Sequence, residues 1–509
     1  MLFELGVRFG SSINLFFFVV CAAICGLWAY ARLRKNASLS AAPLVAINLG
    51  ILLIWALIAQ LDHDEAVHLH LAWLMSQGQI PFKDFWQHHS PFFWILLEPA
   101  VRHSPATAAV FPISRLAQGV IFAANASLGW QIARRAWGRQ AGVSIYLLAL
   151  SSVAIFARFL CLRPDSLMSL FLLATVWFCL DIPGKRITPS FLAGIAFALA
   201  ASFMIKQYLL FFLPLFAVFL GGTEDRWKKV AAYICGVCAG IVPLVSILVS
   251  RGILREFFFW VFGFNRQIVV FQVVFPLLIA AAGGWGAYLL WQRSRSRRDH
   301  QSLIVLLAFC LSTVSSLTTT STVNTGYYLS FWFFMCAIAV CAMDVPAYME
   351  RVKSRSARAL LAGILGGALL IPNAAYLWTC HKDNYFQDER TIARLMQYCA
   401  GDSCLVIMPL HPIFARDTTR LYSAWQYYFA GNFKIVRDDV VRQDLVTQVL
   451  ERRPAVVQCR YQHKDFLLEL YQKKLISASG YKRLVGFMLE HYTRKPLGRQ
   501  IYYVRTDLL

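Results

Sequence analysis

About twelve apolar runs of spanning or near-spanning length follow one another through residues 12–379, and this succession narrows the possible folds more than any other feature. They lie at about 12–31, 42–60, 110–131, 141–157, 164–181, 189–205, 207–220, 230–250, 268–291, 302–318, 326–343 and 358–379, against the ~20 residues a helix needs to cross a hydrocarbon core. In lipid the backbone must satisfy its own hydrogen bonds, so such runs fold as helices. Composition agrees: 58% hydrophobic residues, 15% charged residues and a mean hydropathy of +0.54 exclude an ordinary water-soluble globular protein. The expected fold class is a polytopic α-helical membrane protein of about twelve transmembrane helices, with a smaller α/β domain at its C-terminal end.

The formal charge of +22 is not the mark of a nucleic-acid partner. No basic patch with interleaved aromatics occurs, and most cations sit in short clusters between apolar runs: Arg32, Arg34 and Lys35; Arg134, Arg135 and Arg139; Lys185 and Arg186; Arg226, Lys228 and Lys229; Arg293 to Arg298; Arg351 to Arg358. Retention of positive charge on the inner side makes those gaps cytoplasmic. Segments 61–109, 158–163, the turn at Lys206, 251–267, 319–325 and everything after about 380 then face outward, as do both termini. The first run has one Arg ahead of it, lacks a clear small-residue cleavage site and is followed at once by Arg32-Leu33-Arg34-Lys35, so it reads as a retained helix.

After residue 380 charged residues become frequent and apolar runs shrink to four or five residues. SCLVIMPL, KIVRDD, PAVVQC and QIYYVR read as buried strands, alternating with helical stretches such as VRQDLVTQVLERR. The expected division is a membrane domain over 1–379, including the outer loop 61–109, and a soluble α/β domain over 380–509. Most of the thirteen Cys, such as Cys21, Cys25, Cys235 and Cys238, lie in apolar segments as small hydrophobes. Cys399 and Cys404, in a short polar loop, are spaced to close a disulfide in an oxidising compartment.

Polar chemistry concentrates in residues 61–101, which hold five carboxylates and five histidines between apolar runs. His63-Asp64-Glu65-Ala66-Val67-His68 begins a helix, and i to i+4 spacing puts Asp64 and His68 on one face, where a carboxylate can serve as a general base. Asp64 and Glu65 also suit capping, because acidic groups favour a helix N-terminus. Gly78 and Pro81 end this helix, and a second amphipathic one carries Glu98. The pair suits the bilayer interface, with Trp73, Phe82, Trp86, Phe92 and Trp94 as anchors.

The stretch from Asp64 to Trp94 resembles the first periplasmic loop of GT-C glycosyltransferases of the protein O-mannosyltransferase and aminoarabinose-transferase superfamily. Members of that superfamily usually carry an Asp-Glu pair after a transmembrane helix, then a Gly-x-x-Pro-x-x-Asp-Phe run, then a His- or Lys-Pro-Pro segment. Here these are Asp64-Glu65, Gly78 to Phe85, and His89-Ser90-Pro91. Ser90 replaces the usual first proline, and His89 stands where some relatives have a phosphate-binding lysine. Arg163-Pro164-Asp165, Lys206-Gln207, Tyr327-Tyr328 and the closing QIYYVR also match in order, so the likeness extends over essentially all of the chain after residue 45.

The resemblance implies an inverting transfer of a sugar from a polyprenyl-phosphate carrier to a cell-envelope glycan, lipid or protein, at the outer face of a bacterial inner membrane. The active site and C-terminal domain would face the periplasm. Such a reaction needs a base for a hydroxyl acceptor, cations at the departing phosphate and an apolar groove for the lipid. The implied catalytic residues are Asp64 and Glu65, with Asp64 the base. Arg158, Arg163, Lys206 and His89 would hold the phosphate, and His68, Asp165, Gln207, Tyr327 and Tyr328 would support the site. Arg makes bidentate phosphate contacts, which favours Arg158 and Arg163 over Lys206.

Each residue also has a plainer role. Arg158 and Arg163 can snorkel at a helix end, Asp165 beside Pro164 suits a helix start, and Tyr327 and Tyr328 suit an interfacial belt. A charge such as Lys206 between apolar runs is costly, which argues for function. No cofactor is required, although His63, His68 and His88 are compatible with a divalent metal in a spacing that matches no standard zinc signature. The competing class is a transporter or flippase of a lipid-linked saccharide, disfavoured by the absence of related halves and by charge crowded at one face. A scaffold without catalysis is disfavoured by the clustered Asp, Glu and His.

Overall fold

A computed structural model of the chain describes residues 59–138, 150, 159–264, 274–319, 330–342, 354, 385–406, 413–417 and 445–509, less a few positions inside these ranges that include Gln60, Trp86, His88 and Lys206. The expected runs at about 12–31, 42–60, 141–157 and 358–379 lie almost wholly outside these residues. In chain order the helices are α1 (His63–Ser76), α2 (Phe92–Arg102), α3 (Val110–Trp137), α4 (Pro164–Cys179), α5 (Thr188–Phe203), α6 (Phe212–Leu220), α7 (Arg226–Ser250), α8 (Leu254–Phe257), α9 (Val274–Arg297), α10 (His300–Thr319), α11 (Ser330–Val340), α12 (Tyr385–Tyr398), α13 (Leu445–Arg452) and α14 (Ala478–His491). Each remaining expected run falls on one of α3 to α7 or α9 to α11. Among the described residues, α7 and the His300–Thr318 stretch of α10 are long and apolar enough to cross a membrane by length and composition.

The described residues fall into two compact units. The first is drawn from Met1–Ala59, Ser114–Val245 and Val269–Asp383. Its helices are largely apolar, and several of their hydroxyls bond back to a carbonyl one turn earlier: Ser169 to Asp165, Thr175 to Phe171, Ser202 to Ala198 and Thr313 to Phe309. That local bond removes the penalty of burying a hydroxyl away from water. Glycine sets the spacing of α5 and α7. A Cβ on Gly236 would lie 2.1 Å from the Phe191 carbonyl oxygen, and one on Gly194 would lie 2.3 Å from that of Tyr233. Gly236 and Gly240 stand one turn apart on α7, so the two backbones meet directly, the usual device where apolar solvent gives helices no reason to associate.

At the expected cytoplasmic ends of this unit the basic clusters are tied to helix termini. Lys229 is fully buried and its Nζ donates to the carbonyls of Ile182, at 2.9 Å, and Gly184. Arg135 pairs with Asp181 and lies over the Trp177 ring at 4.4 Å. Both cations lie near the negative end of α4, and Lys229 also satisfies two carbonyls of the turn that follows it.

The second unit gathers Gln60–Ile113, Ser246–Ile268 and Asn384–Leu509. Its tail holds a five-stranded sheet in the order β2-β1-β3-β7-β6, from β1 (Ser403–Leu405), β2 (Arg416–Asp417), β3 (Val456–Gln458), β6 (Tyr492–Leu497) and β7 (Gln500–Arg505). β4 (Arg460–Tyr461) and β5 (Lys464–Asp465) form a separate antiparallel pair. β1 runs parallel to β2 and β3, whereas β7 is antiparallel to β3 and β6. Leu405, Val446, Val449, Val457, Ile476, Leu484, Met488 and Tyr492 make a core between this sheet and helices α13 and α14. The expected strands in SCLVIMPL, PAVVQC and QIYYVR are present, and KIVRDD lies outside the described residues. β6 carries Thr493, Arg494, Lys495 and Pro496; it closes one edge of the sheet, where proline and charge are tolerated. Cys399 and Cys404 are buried free thiols, not the expected disulfide.

Candidate active site

The start of α1 is built from three neighbouring carboxylates with different duties. Asp62 is the N-cap: its side chain accepts from the Asp64 backbone N–H at 3.0 Å. Glu65 is fully buried, and its Oε2 accepts from the Asp62 N–H at 3.0 Å, closing a capping box. Capping therefore engages the carboxylates of Asp62 and Glu65 but only the backbone of Asp64, whose side chain is half-buried in the first turn. The plain reading of Asp64 as the cap thus passes to Asp62, while Glu65, expected as catalytic, has its carboxylate on the backbone N–H of that N-cap residue.

One turn on, His68 is buried, and its Nδ1 accepts from the Trp94 indole N–H at 2.9 Å. An indole can only donate, so Nδ1 is unprotonated and the neutral ring carries its hydrogen on Nε2. Phe93 meets this ring edge-on at 5.1 Å between centroids, and the ring of His89 lies 6.3 Å away. The segment between α1 and α2 is shaped by Gly78, with φ +84°, and by Asp84, whose carboxylate accepts from the Ile80 N–H at 2.7 Å. α1 is buried on nearly every face, including Ala66, Leu69, Leu71 and Leu74, and is thus a core helix of its unit, not the expected amphipathic surface helix. The reason is the tail. His70, fully buried, bonds through Nδ1 to the Ile413 carbonyl at 2.7 Å, and Trp73 packs edge-on against Phe414. Leu61 N–H donates to Asp388 Oδ2 at 3.0 Å.

In the first unit, Arg163 and Asp165 are both buried at the start of α4. Arg163 is the extended N-cap residue, Pro164 opens the helix, and Asp165 lies in the first turn. Gln118 Nε2 donates to the Arg163 carbonyl at 3.2 Å, and Asn125 Nδ2 to that of Ser166 at 3.0 Å. Gln118 and Asn125 stand seven residues apart in the apolar run of α3, a costly polar pair that the sequence reading passed over. Arg115, also in α3, donates to the Ala59 carbonyl at 2.9 Å. Gln207 lies where the chain leaves α5 through an extended Met204, and its Nε2 donates to Ser316 Oγ at 3.0 Å.

Arg158, Lys206, Tyr327, Tyr328 and His88 lie outside the described residues, as does the side chain of His63. Among the described residues no three His, Cys, Asp or Glu side chains gather to hold a metal ion. The structure thus brings Asp64, Glu65, His68 and His89 together in one unit, and Arg163 with Asp165 in the other. Trp94, Asp388 and Ile413 are the partners that spacing alone did not reveal.

Residues 109–249 match the family model described as dolichyl-phosphate-mannose-protein mannosyltransferase. The fold is similar to that of ArnT from Cupriavidus metallidurans bound to undecaprenyl phosphate, at 13% identity and a TM-score of 0.56, covering 91% of this chain and 98% of that one. The apo ArnT structure matches at 13% identity and a TM-score of 0.55, covering 91% and 97%. No curated protein sequence matches the chain. The resemblance stated from the first outer loop therefore holds: in sequence over residues 109–249, and in fold over nine-tenths of its length, this chain is similar to GT-C glycosyltransferases.

Proposed function

We propose that this protein is an inverting glycosyltransferase that moves a sugar from a polyprenyl-phosphate carrier to a hydroxyl of a cell-envelope acceptor at the outer face of a bacterial inner membrane. The observation that carries this reading is the division of labour at the head of α1. The carboxylates of Asp62 and Glu65 close the capping box, while Asp64 enters it by its backbone N–H and stands one turn before the buried His68, whose Nδ1 accepts from Trp94. The neighbour's undecaprenyl phosphate supports a lipid-phosphate donor.

In the proposed step the acceptor oxygen forms a bond to the anomeric carbon while the bond from that carbon to the phosphate oxygen breaks. Asp64 takes the acceptor proton, and the carrier leaves as a phosphate anion, so no separate acid is needed. Arg163, with Arg158, Lys206 and His89, would balance the growing phosphate charge, which fixed cations stabilise most in a site shielded from water. His68, Asp165, Gln207, Tyr327 and Tyr328 would line and support the site, and the step requires no metal.

The test is Asp64→Asn, which keeps the backbone donor to Asp62. With a radiolabelled lipid-linked sugar in proteoliposomes, transfer is expected to fall by about 10²-fold or more while the protein stays folded, in line with what a positioned base supplies. Full activity would overturn the base assignment. Carrier that crosses the bilayer with its sugar still attached would overturn the transferase reading itself.

A further inference from the structure

The helix that presents Asp64 is held from a point more than three hundred residues away. Asp388, near the start of α12, is 5% exposed, and its Oδ2 accepts from the N–H of Leu61, 327 residues earlier in the chain. Leu61 directly precedes the N-cap Asp62, so the tail carboxylate grips the residue that leads into the cap of α1, and the capping box carries that grip into the turn holding Asp64. A second tie lies further along the helix, where buried His70 donates to the Ile413 carbonyl. Between them, these bonds fix both the entry and the middle of α1 to the tail. Asp388 does not read as part of a site from its neighbours in sequence.

From this juxtaposition we infer that Asp388 is a positioning residue: by holding the Leu61 amide it sets where the Asp64 carboxylate points, and so makes the tail a working part of the active site. The inference rests on the glycosyltransferase reading for its kinetic consequence, but the contact itself can be read without it. Misplacing a reacting group by about 1 Å can cost about 10²-fold in rate, and Asp388, buried against the Leu61 amide, is placed to act through α1. Loss of its grip should therefore lower turnover and leave the donor KM unchanged.

The experiment compares Asp388→Ala and Asp388→Asn in the full-length protein, reading amide hydrogen exchange across 61–65 together with turnover and donor KM. Asn keeps an acceptor oxygen, so it should behave within about twofold of the native protein. Ala should speed exchange at 61–65, leave protection at Val456–Gln458 intact, and lower turnover about ten- to a hundredfold at constant KM. Should the alanine protein lose protection in the tail, Asp388→Ser, which keeps a polar group but falls short of the amide, supplies the same comparison. Unchanged exchange at 61–65 would overturn the inference, as would faster exchange with native turnover or a change confined to KM. Asp64→Asn run in parallel separates the two ideas: if that protein is fully active the base assignment fails, and if it is inactive while Asp388→Ala is native, only the positioning role fails.

Discussion

At the scale of single residues, the candidate site turns on hydrogen bonds that assign protons and directions. Trp94 is fully buried, and its indole hydrogen fills the Nδ1 lone pair of His68. Trp94→Phe keeps an aromatic ring but leaves that nitrogen without its indole donor. The expected cost is about 1–3 kcal/mol from the unmet buried acceptor, read as a lowered thermal midpoint of the purified protein. Native stability in Trp94→Phe would show that the bond does not hold the ring. Much of this scale was legible beforehand: Asp64 and His68 were placed on one face by spacing alone. The capping box was legible too, since Asp62 and Glu65 stand three apart before an apolar run, although the acid first in line, and not Asp64, is the cap. Trp94 was not legible as a partner, because as an anchor or a donor it carries the same letter.

At the scale of elements, the helices were readable because length and apolarity are local properties, whereas their pairing depends on which small residues face one another. Gly236 cannot accept a Cβ without pushing against the Phe191 carbonyl, but Gly284 on α9 has open space around its Cβ position. Gly236→Ala is therefore expected to destabilise the protein by about 1–3 kcal/mol through overpacking. Gly284→Ala should be neutral or stabilise by up to about 1 kcal/mol, since alanine is the better helix former. Thermal unfolding of the two variants in detergent checks the contrast, and equal effects would contradict the close approach of α5 and α7. The glycines were visible in the sequence, but nothing in it distinguished a glycine at a helix crossing from one facing open space. β6 is not legible locally for a related reason: its charges and proline are tolerable in a strand only at the sheet edge it occupies.

At the scale of the whole molecule, the tail reports its own integrity through two phenols. Tyr492 donates to the Pro454 carbonyl at 2.7 Å, and burial holds its hydroxyl well above the ordinary range for a phenol. Burial raises Tyr502 as well, with further help from the negative charge of Asp388. Both groups keep their protons in the folded tail and would lose them near pH 10 once exposed. The folded chain then binds more protons than the unfolded one, so their contribution to stability is complete below about pH 10 and declines as the pH rises above it. The two tail tyrosines should therefore be among those that ionise late, together with loss of tail structure, in an alkaline titration followed by phenolate absorbance; ionisation of all tyrosines in one early step would contradict their burial. The chain by itself determined that apolar helices dominate, that a mixed α/β segment follows them, and where an acidic helix opens, because periodicity, length and capping are decided within a few residues. Only the tertiary structure decided that α1 is a core helix tied to the tail. The bonds that do so, His70 to Ile413 and Leu61 to Asp388, span 343 and 327 residues, and over such distances the choice of partner rests on packing, of which local pattern keeps no trace.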